Sequence, residues 1–306
     1  MDGFLCVLKP PGMTSHDLVA EVRRLTGQRR VGHAGTLDPD AAGVLPMGLG
    51  KATRLLEFAR DEPKAYRCQM ILGLTTTTQD LSGAVLERRP VGDLTPGQVR
   101  EVLREFEGEY RQLPPMFSAR HHRGRRLYEW AREGIEVERR PHPVYIYGIR
   151  LLDLRREQGR WGVLLDVSCS SGTYIRTLCA DIGTRLGCGG CLAFLIRTRV
   201  GPFRLEASLT REELADAGRE GINRTFLLPP DFVLQSLPQA RVPPAVLRPV
   251  LNGNPVPVTT VEWAGKGVAE EGRPVRLYAP DGRLVAVGRV EGSRINMLKV
   301  LGWEEK

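Results

Sequence analysis

The segment Gly32-His33-Ala34-Gly35-Thr36-Leu37-Asp38-Pro39 sets one carboxylate among glycines and a proline, with a histidine five residues upstream of it. Glycines at 32 and 35 let backbone come close to a ligand or take up positive φ, and Pro39 confines Asp38 to extended conformations. Such a loop is rigid and presents Asp38 to a partner. An Asp-Pro pair is also common turn chemistry, so a solvated Asx turn stands beside that interpretation.

Upstream of the loop, Leu18, Val19, Val22 and Leu25 recur at helical spacing, with Thr14 or Ser15 as cap and Gly27 as stop. Downstream, a second helix is expected over Ala52–Ala59. Tyr66, Cys68, Met70 and Leu72 then alternate with polar neighbours as a strand ending at Gly73, which points Tyr66 to the core face. Thr95-Pro96-Gly97-Gln98 has the form of a capping box with proline at the first helical position, opening a helix that runs to about Gly108. From Arg111 to Pro143 periodicity fails. Pro114-Pro115, the basic run Arg120-His121-His122-Arg123-Gly124-Arg125-Arg126, and Arg139-Arg140 mark an insertion, in which positive charge interleaved with Tyr128 and Trp130 suits an RNA backbone and its bases. A solvated loop is the alternative.

Val163, Leu165, Val167 and Cys169 alternate as a further strand, followed by Ser170-Ser171-Gly172-Thr173 and a helix carrying Ile175, Leu178, Cys179, Ile182 and Leu186. Arg176 falls in the first turn of that helix, where a cation opposes the helix dipole, so a carboxylate or phosphate partner is expected. A proline-rich stretch from Pro229 to Pro244 reads as a boundary. Beyond it, Val275–Tyr278, Leu284–Val290 and Ile295–Leu301, broken by Asp281-Gly282 and Glu291-Gly292 turns, predict a small all-β module.

With 306 residues the chain suits about two domains, and 42% hydrophobic with 26% charged residues is ordinary for a globular protein. No stretch reaches the roughly eighteen uninterrupted apolar residues of a membrane span, and Met1–Pro10 lacks the basic and apolar parts of a leader, so a cytosolic chain is expected. The net charge of +8 favours a polyanionic partner, although charge alone also serves solubility. Only six of the 44 basic residues are lysine; arginine's planar fork grips phosphate and stacks on bases, while a GC-rich genome gives the same bias without selection. Cys188-Gly-Gly-Cys191 has zinc-like spacing but no second pair, so reduced, partly buried thiols are expected and no metal.

Lys9-Pro10-Pro11-Gly12-Met13-Thr14-Ser15, the Gly32–Pro39 loop, Lys64-Ala65-Tyr66-Arg67 closing on Leu72-Gly73, and Gly172-Thr173-Tyr174-Ile175-Arg176-Thr177-Leu178 occur in this order. Together they resemble the bacterial TruB-type tRNA pseudouridine synthases, over nearly the whole chain. Pro115-Met116-Phe117-Ser118-Ala119 and Gly124-Arg125-Arg126-Leu127-Tyr128-Glu129 match that family's RNA-gripping thumb, and Leu284–Val290 resembles part of its PUA module. The resemblance implies an α+β fold. It has a mixed, mainly antiparallel central sheet flanked by helices as catalytic domain (1–235, thumb at about 111–143), and a small β-barrel-like PUA module (240–306).

It further implies isomerisation of the T-loop uridine of tRNA, by a monomer, with no cofactor. Asp38 matches the essential aspartate, drawn as nucleophile at ribose C1′ or as base toward the C2′ proton. Arg176 matches the arginine paired with it, and Asp80 a second carboxylate of the same network; Asp80 read alone is a turn residue. Tyr66 matches the tyrosine that stacks on the target base, and His33 the residue that fills the gap the flipped uridine leaves. Tyr174 and Leu195 match further pocket residues, and Arg120, Arg123, Arg125 and Arg126 are expected on RNA phosphates. Where many relatives carry aspartate, this chain has Thr75-Thr76-Thr77-Thr78.

Two other classes share some of these features. A base-excising glycosylase also uses a lone aspartate at C1′, and a non-enzymatic RNA-binding or folding factor needs only the module and the thumb. A guide-dependent archaeal or eukaryotic relative is a narrower alternative, against which the inserted thumb argues.

Overall fold

A computed structural model describes residues 1–118, 120–157, 159–220, 226–264 and 270–302. Ala119 of the thumb motif, and the last four residues of the expected C-terminal module, lie outside them.

The cap signals before the Asp38 loop form the helix they imply. Helix α1 spans Ser15–Thr26, Thr14 and Asp17 close a reciprocal capping box, and Gly27 ends it at φ 63°. The expected helix over 52–59 divides instead into a 3₁₀ turn, Gly50–Leu55, and one α turn and a half, Leu56–Asp61.

In chain order the long strands of the central sheet are β1 (Gly3–Lys9), β2 (Ala42–Leu49), β3 (Lys64–Leu72), β4 (Gly108–Gln112), β5 (His142–Glu157), β6 (Arg160–Cys169) and β7 (Gly190–Val200). In space they run β1-β2-β7-β3-β6-β5-β4, with Val31–His33 beside β2 and Phe203–Arg204 beside β7. Every pairing is antiparallel except β2 with β7, so the sheet is mixed and mainly antiparallel, as expected. At that one parallel crossing Gly43 has φ +121°, and a Cβ there would lie 2.2 Å from the Arg197 carbonyl oxygen. Only glycine lets the strands meet.

Of these strands, β1, β2, β4, β5 and β7 are absent from the sequence-based expectation. All eight residues of β2 are buried, so no period-two signal exists, and Pro46 within it argues against a strand. Two register shifts interrupt β5 against β6. In β3, by contrast, Lys64, Tyr66, Cys68, Met70 and Leu72 are buried in alternation.

That face of β3 packs with Val163, Leu165 and Val167 of β6 under α2 (Pro96–Arg104) and α4 (Ile175–Arg185). The capping box of α2 forms between Thr95 and Gln98. The helix ends at Arg104, earlier than expected, and Phe106 reaches the same core from the turn that follows. The segment between β4 and β5, where the thumb is expected, leaves the sheet from a hydrogen-bonded base at which Gln112 pairs with His142. It carries a hairpin, His121–His122 with Arg125–Arg126, and α3 (Leu127–Arg132).

The C-terminal sheet contains the three expected strands, as Pro274–Tyr278, Leu284–Glu291 and Arg294–Val300, in a six-stranded order. Its two edge strands, Val256–Pro257 and Glu262–Trp263, are joined by one short 3₁₀ turn, and Trp263 Nε1 donates to the Val258 carbonyl at 3.1 Å. Edges so close in sequence force the sheet to curl around Val275, Leu277, Val285 and Ile295. The region is not all-β: Pro243-Pro244, read as linker, starts the helix Pro244–Leu251, where proline at the first position loses no hydrogen bond. Among the described residues no helix is long and apolar enough to cross a membrane.

Candidate active site

The Asp38 loop is pinned from two sides. Ser15 Oγ accepts from Leu37 N–H at 3.0 Å and donates to the Leu37 carbonyl at 3.2 Å. Lys9, fully buried at the end of β1, donates to the carbonyls of Pro10 (2.8 Å), Pro39 (3.0 Å) and Ala41 (2.8 Å). Gly12 N–H donates to Pro39 O and Ala41 N–H to Asp38 O. Gly35 takes φ +88°, whereas Gly32 serves close packing within the protein: a Cβ there would meet Leu56 at 2.8 Å. A loop tied this tightly holds its carboxylate in one place.

Opposite it, Arg176 lies 7% exposed in the first turn of α4 and grips Asp38 with two nitrogens: Nε at 3.0 Å from Oδ2, and Nη2 at 3.3 Å from Oδ1. The guanidinium also donates from Nη1 to Thr78 O (3.1 Å) and from Nη2 to Phe117 O (2.8 Å), and Nη1 lies 3.5 Å from Asp80 Oδ2. Asp80 is in turn held by the hydroxyls of Thr78 (2.5 Å) and Ser82 (2.6 Å) and by Ser82 N–H (3.0 Å). The threonine run thus supplies polar contacts to the network. The Asp38 side chain itself is 46% exposed, toward the cavity. Burial nonetheless pushes its carboxyl above the ordinary range, with Arg176 and Lys9 pulling it down and the like charges of Asp80 and Asp40 pushing it up.

Asp38, Arg176, Asp80, His33, Leu195 and Arg126 line one cavity of about 1180 Å³, together with Phe117, Ser118, Tyr128, Leu192 and Phe194. Phe194 is 45% exposed, a large apolar surface beside the carboxylate. His33 is driven toward its neutral form by burial and by Arg197, and its Nδ1 is buried without a hydrogen-bond partner among the described residues.

Tyr66 and Tyr174 do not line this cavity. Tyr66 is 8% exposed in the core beneath it, its phenol pushed up to about 12 by burial. Tyr174 packs edge-on to His142, and its backbone is held at both ends by the Gln112 side chain. In the thumb, Arg120, Arg123 and Arg126 are exposed, but Arg125 is occupied: it pairs with Glu133 at 2.5 Å and stacks 4.3 Å from the Trp130 ring.

Two residues of consequence went unassigned by sequence reasoning. Lys9 clamps the loop, as above. Arg197, 1% exposed on β7, donates to Val44 O (2.8 Å) and Gly35 O (3.0 Å) and bonds Tyr66. A charged residue inside an apolar run was the available signal in both. The six cysteines are free and buried, and no group of three or more His, Cys, Asp or Glu among the described residues is placed to hold a metal ion.

Lys9→Met is expected to lower unfolding free energy by about 2–4 kcal/mol, because three carbonyls, that of Ala41 buried, lose the donor that the fully buried Lys9 supplies. Urea unfolding measures it. An unchanged midpoint would mean that the loop does not depend on Lys9.

In comparisons with known proteins, residues 23–175 match the family model described as TruB family pseudouridylate synthase (N terminal domain). Residues 176–235 match that of the tRNA pseudouridylate synthase B C-terminal domain. The chain is 51% identical to the tRNA pseudouridine synthase B of Moorella thermoacetica, covering 94% of each chain. It is 46% identical to that of Heliobacterium mobile, covering 100% of this chain and 96% of the relative. Among solved structures it is similar to a Cbf5-Nop10-Gar1 complex, with TM-score 0.75 and 30% identity, covering 98% of this chain and 84% of that one. An H/ACA RNP bound to a substrate RNA containing 2′-deoxyuridine gives TM-score 0.74 and 28% identity at the same coverage.

Proposed function

This chain belongs to the TruB family of pseudouridylate synthases, and from that premise we propose that it isomerises uridine to pseudouridine in the T-loop of tRNA, with Asp38 as the reacting carboxylate. The observation that carries the assignment of Asp38 is its two-nitrogen pairing with Arg176 at the wall of a cavity large enough for a flipped nucleotide.

Either Asp38 attacks ribose C1′ as the C1′–N1 bond breaks and its electron pair passes to uracil, or Asp38 removes the C2′ proton and a glycal forms. The base then turns; in the first path C5 displaces the Asp38 carboxylate from C1′, in the second C5 bonds to C1′ of the glycal as the proton returns from Asp38 to C2′, and in both the C5 proton is lost while N1 is protonated. Atoms balance without a redox carrier. Both paths need Asp38 ionised, and Arg176 favours that form against desolvation. Tyr66, beneath the cavity, supports the base from below once the RNA is seated, and Leu195 contributes an apolar wall. His33, a flat ring that burial holds toward its neutral form, suits the space a flipped base vacates.

Residues 1–235 act in this proposal as the catalytic domain and 240–306 as a PUA-like RNA-binding module, supported by its curled sheet and a core cluster of its own, while Val287 and Leu301 pack with Phe4, Val44 and Leu55. The enzyme works as a cytoplasmic monomer. Incubation with an unmodified T-arm stem-loop, followed by nucleotide-resolution mapping, is expected to place pseudouridine in the loop at unchanged RNA mass. Release of free uracil would instead indicate a glycosylase, and binding without either product an RNA-folding factor.

Binding is expected to weaken roughly 50- to 150-fold between 50 and 200 mM salt if four thumb arginines meet phosphates. Arg126→Ala should reduce the log–log slope by about 1, and Arg125→Ala by less, since Glu133 and Trp130 already engage it. Filter binding across a salt series decides; a flat dependence would remove the thumb arginines from the RNA interface.

A further inference from the structure

Gln79 is one of two non-glycine residues with positive φ among the described residues, at 64°; the other, Arg123, sits in the thumb hairpin turn. An L side chain adopts that conformation only where its surroundings enforce it, and such strain concentrates at functional sites. Three hydrogen bonds enforce it here. Gln79 N–H donates to Thr76 O at 3.3 Å, Leu192 N–H donates to Gln79 O at 2.9 Å, and Thr177 Oγ1 donates to Gln79 Oε1 at 2.8 Å. Thr177 is 2% exposed and directly follows Arg176.

The residues on either side of Gln79 both hold Arg176: Thr78 through its carbonyl, Asp80 through its carboxylate. A ring therefore closes, from Arg176 along the chain to Thr177, across its hydroxyl to Gln79, through the strained turn to Thr78 and Asp80, and back to Arg176 Nη1. Thr78 and Asp80 line the cavity; Gln79 and Thr177 do not. Whatever these two do for the reaction passes through the arginine.

We propose that Gln79 and Thr177 are positioning residues for the isomerisation: their side-chain bond locks the left-handed turn so that Thr78 and Asp80 occupy Nη1, which leaves Nε and Nη2 aligned on Asp38. The proposal rests on Asp38 as the reacting carboxylate. The charged groups facing Asp38 are Arg176 from α4, Asp80 from the turn, Lys9 from β1 and Asp40 from its own loop. A slack turn leaves Lys9 and Asp40 in place and loosens both Arg176 and Asp80; of these two the arginine has the larger influence on Asp38, so the net effect raises its pKa.

The test is single-turnover isomerisation of a tRNA by T177V, Q79L and the double variant across a pH series, with T177S as rescue. Each single change is expected to lower the rate about tenfold, leave tRNA Kd unchanged and move the acid limb to higher pH. The double variant is expected to be no slower than the slower single, because one interaction is lost twice, and T177S to keep a near-normal profile. A residue with a merely structural role would lower the melting temperature without moving the acid limb. An unmoved limb, additive losses or a parallel fall in tRNA affinity would overturn the proposal. Q79L leaves α4 untouched and carries the test should T177V fail to fold. D38N run alongside separates the causes: an active D38N removes the premise about Asp38, whereas an inactive D38N with unmoved limbs in the other variants removes the positioning proposal alone.

Discussion

Asp38→Asn is expected to lower the single-turnover isomerisation rate by at least ~10⁴-fold while leaving tRNA Kd within about threefold. Asparagine keeps the shape and the acceptor oxygen but neither attacks C1′ nor takes a C2′ proton. The site should survive the change, because Arg176 retains Thr78 O, Phe117 O and Asp80, and the loop retains its Lys9 and Ser15 anchors. Rapid-quench kinetics beside equilibrium binding check it, and equal losses of rate and affinity would make the loop a binding element. The variant also alters how stability responds to pH. Burial raises the Asp38 pKa in the folded state. Between the ordinary carboxylate value and that raised one, the folded chain holds more protons than the unfolded, so this group's contribution to stability declines as pH rises through the window. D38N should lack that decline.

Arg176→Gln is expected to cost about 10³-fold in kcat/KM and to shift its acid limb to higher pH; Arg176→Lys should lose about 10²-fold, keeping charge without the fork. Arg176 is the largest influence holding the Asp38 carboxyl down, so its removal leaves burial and the like charge of Asp80 opposed chiefly by Lys9. The kcat/KM profile from pH 5 to 9 reads the shift directly. A limb that stays put in R176Q would show that Arg176 does not govern ionisation of the reacting group. Because the arginine also satisfies two backbone carbonyls, both variants should unfold at lower denaturant, and rates belong to conditions where each is folded.

How much of this was legible in the chain follows from which signals are local. Thr14 and Asp17, Thr95 and Gln98, and Gly27 act within one helical turn, and the helices begin or end where they stand. Tyr66 faces the core because β3 is buried on one face only, which leaves an alternation to read. Strand β2, buried throughout, leaves none, and β5 is broken by its own bulges. Tyr174 matched a pocket residue by motif, yet its ring packs on His142 outside the cavity. Arg125 counted toward a basic surface until Glu133 came within 2.5 Å of it.

By itself the sequence determined the family and the mixed α and β class, and it singled out Asp38, Asp80 and Arg176 as the residues proposed for the site, since these depend on residue type and on order along the chain. Only the tertiary structure decided that Lys9 and Arg197 carry the loop, that the strained Gln79 turn reaches the residue after Arg176, and that Tyr66 lies beneath the cavity. Those contacts join residues far apart in the chain, such as Arg197 and Gly35 or Thr177 and Gln79. What a buried cation or a left-handed turn does depends on which carbonyl or hydroxyl faces it, and no local pattern encodes that.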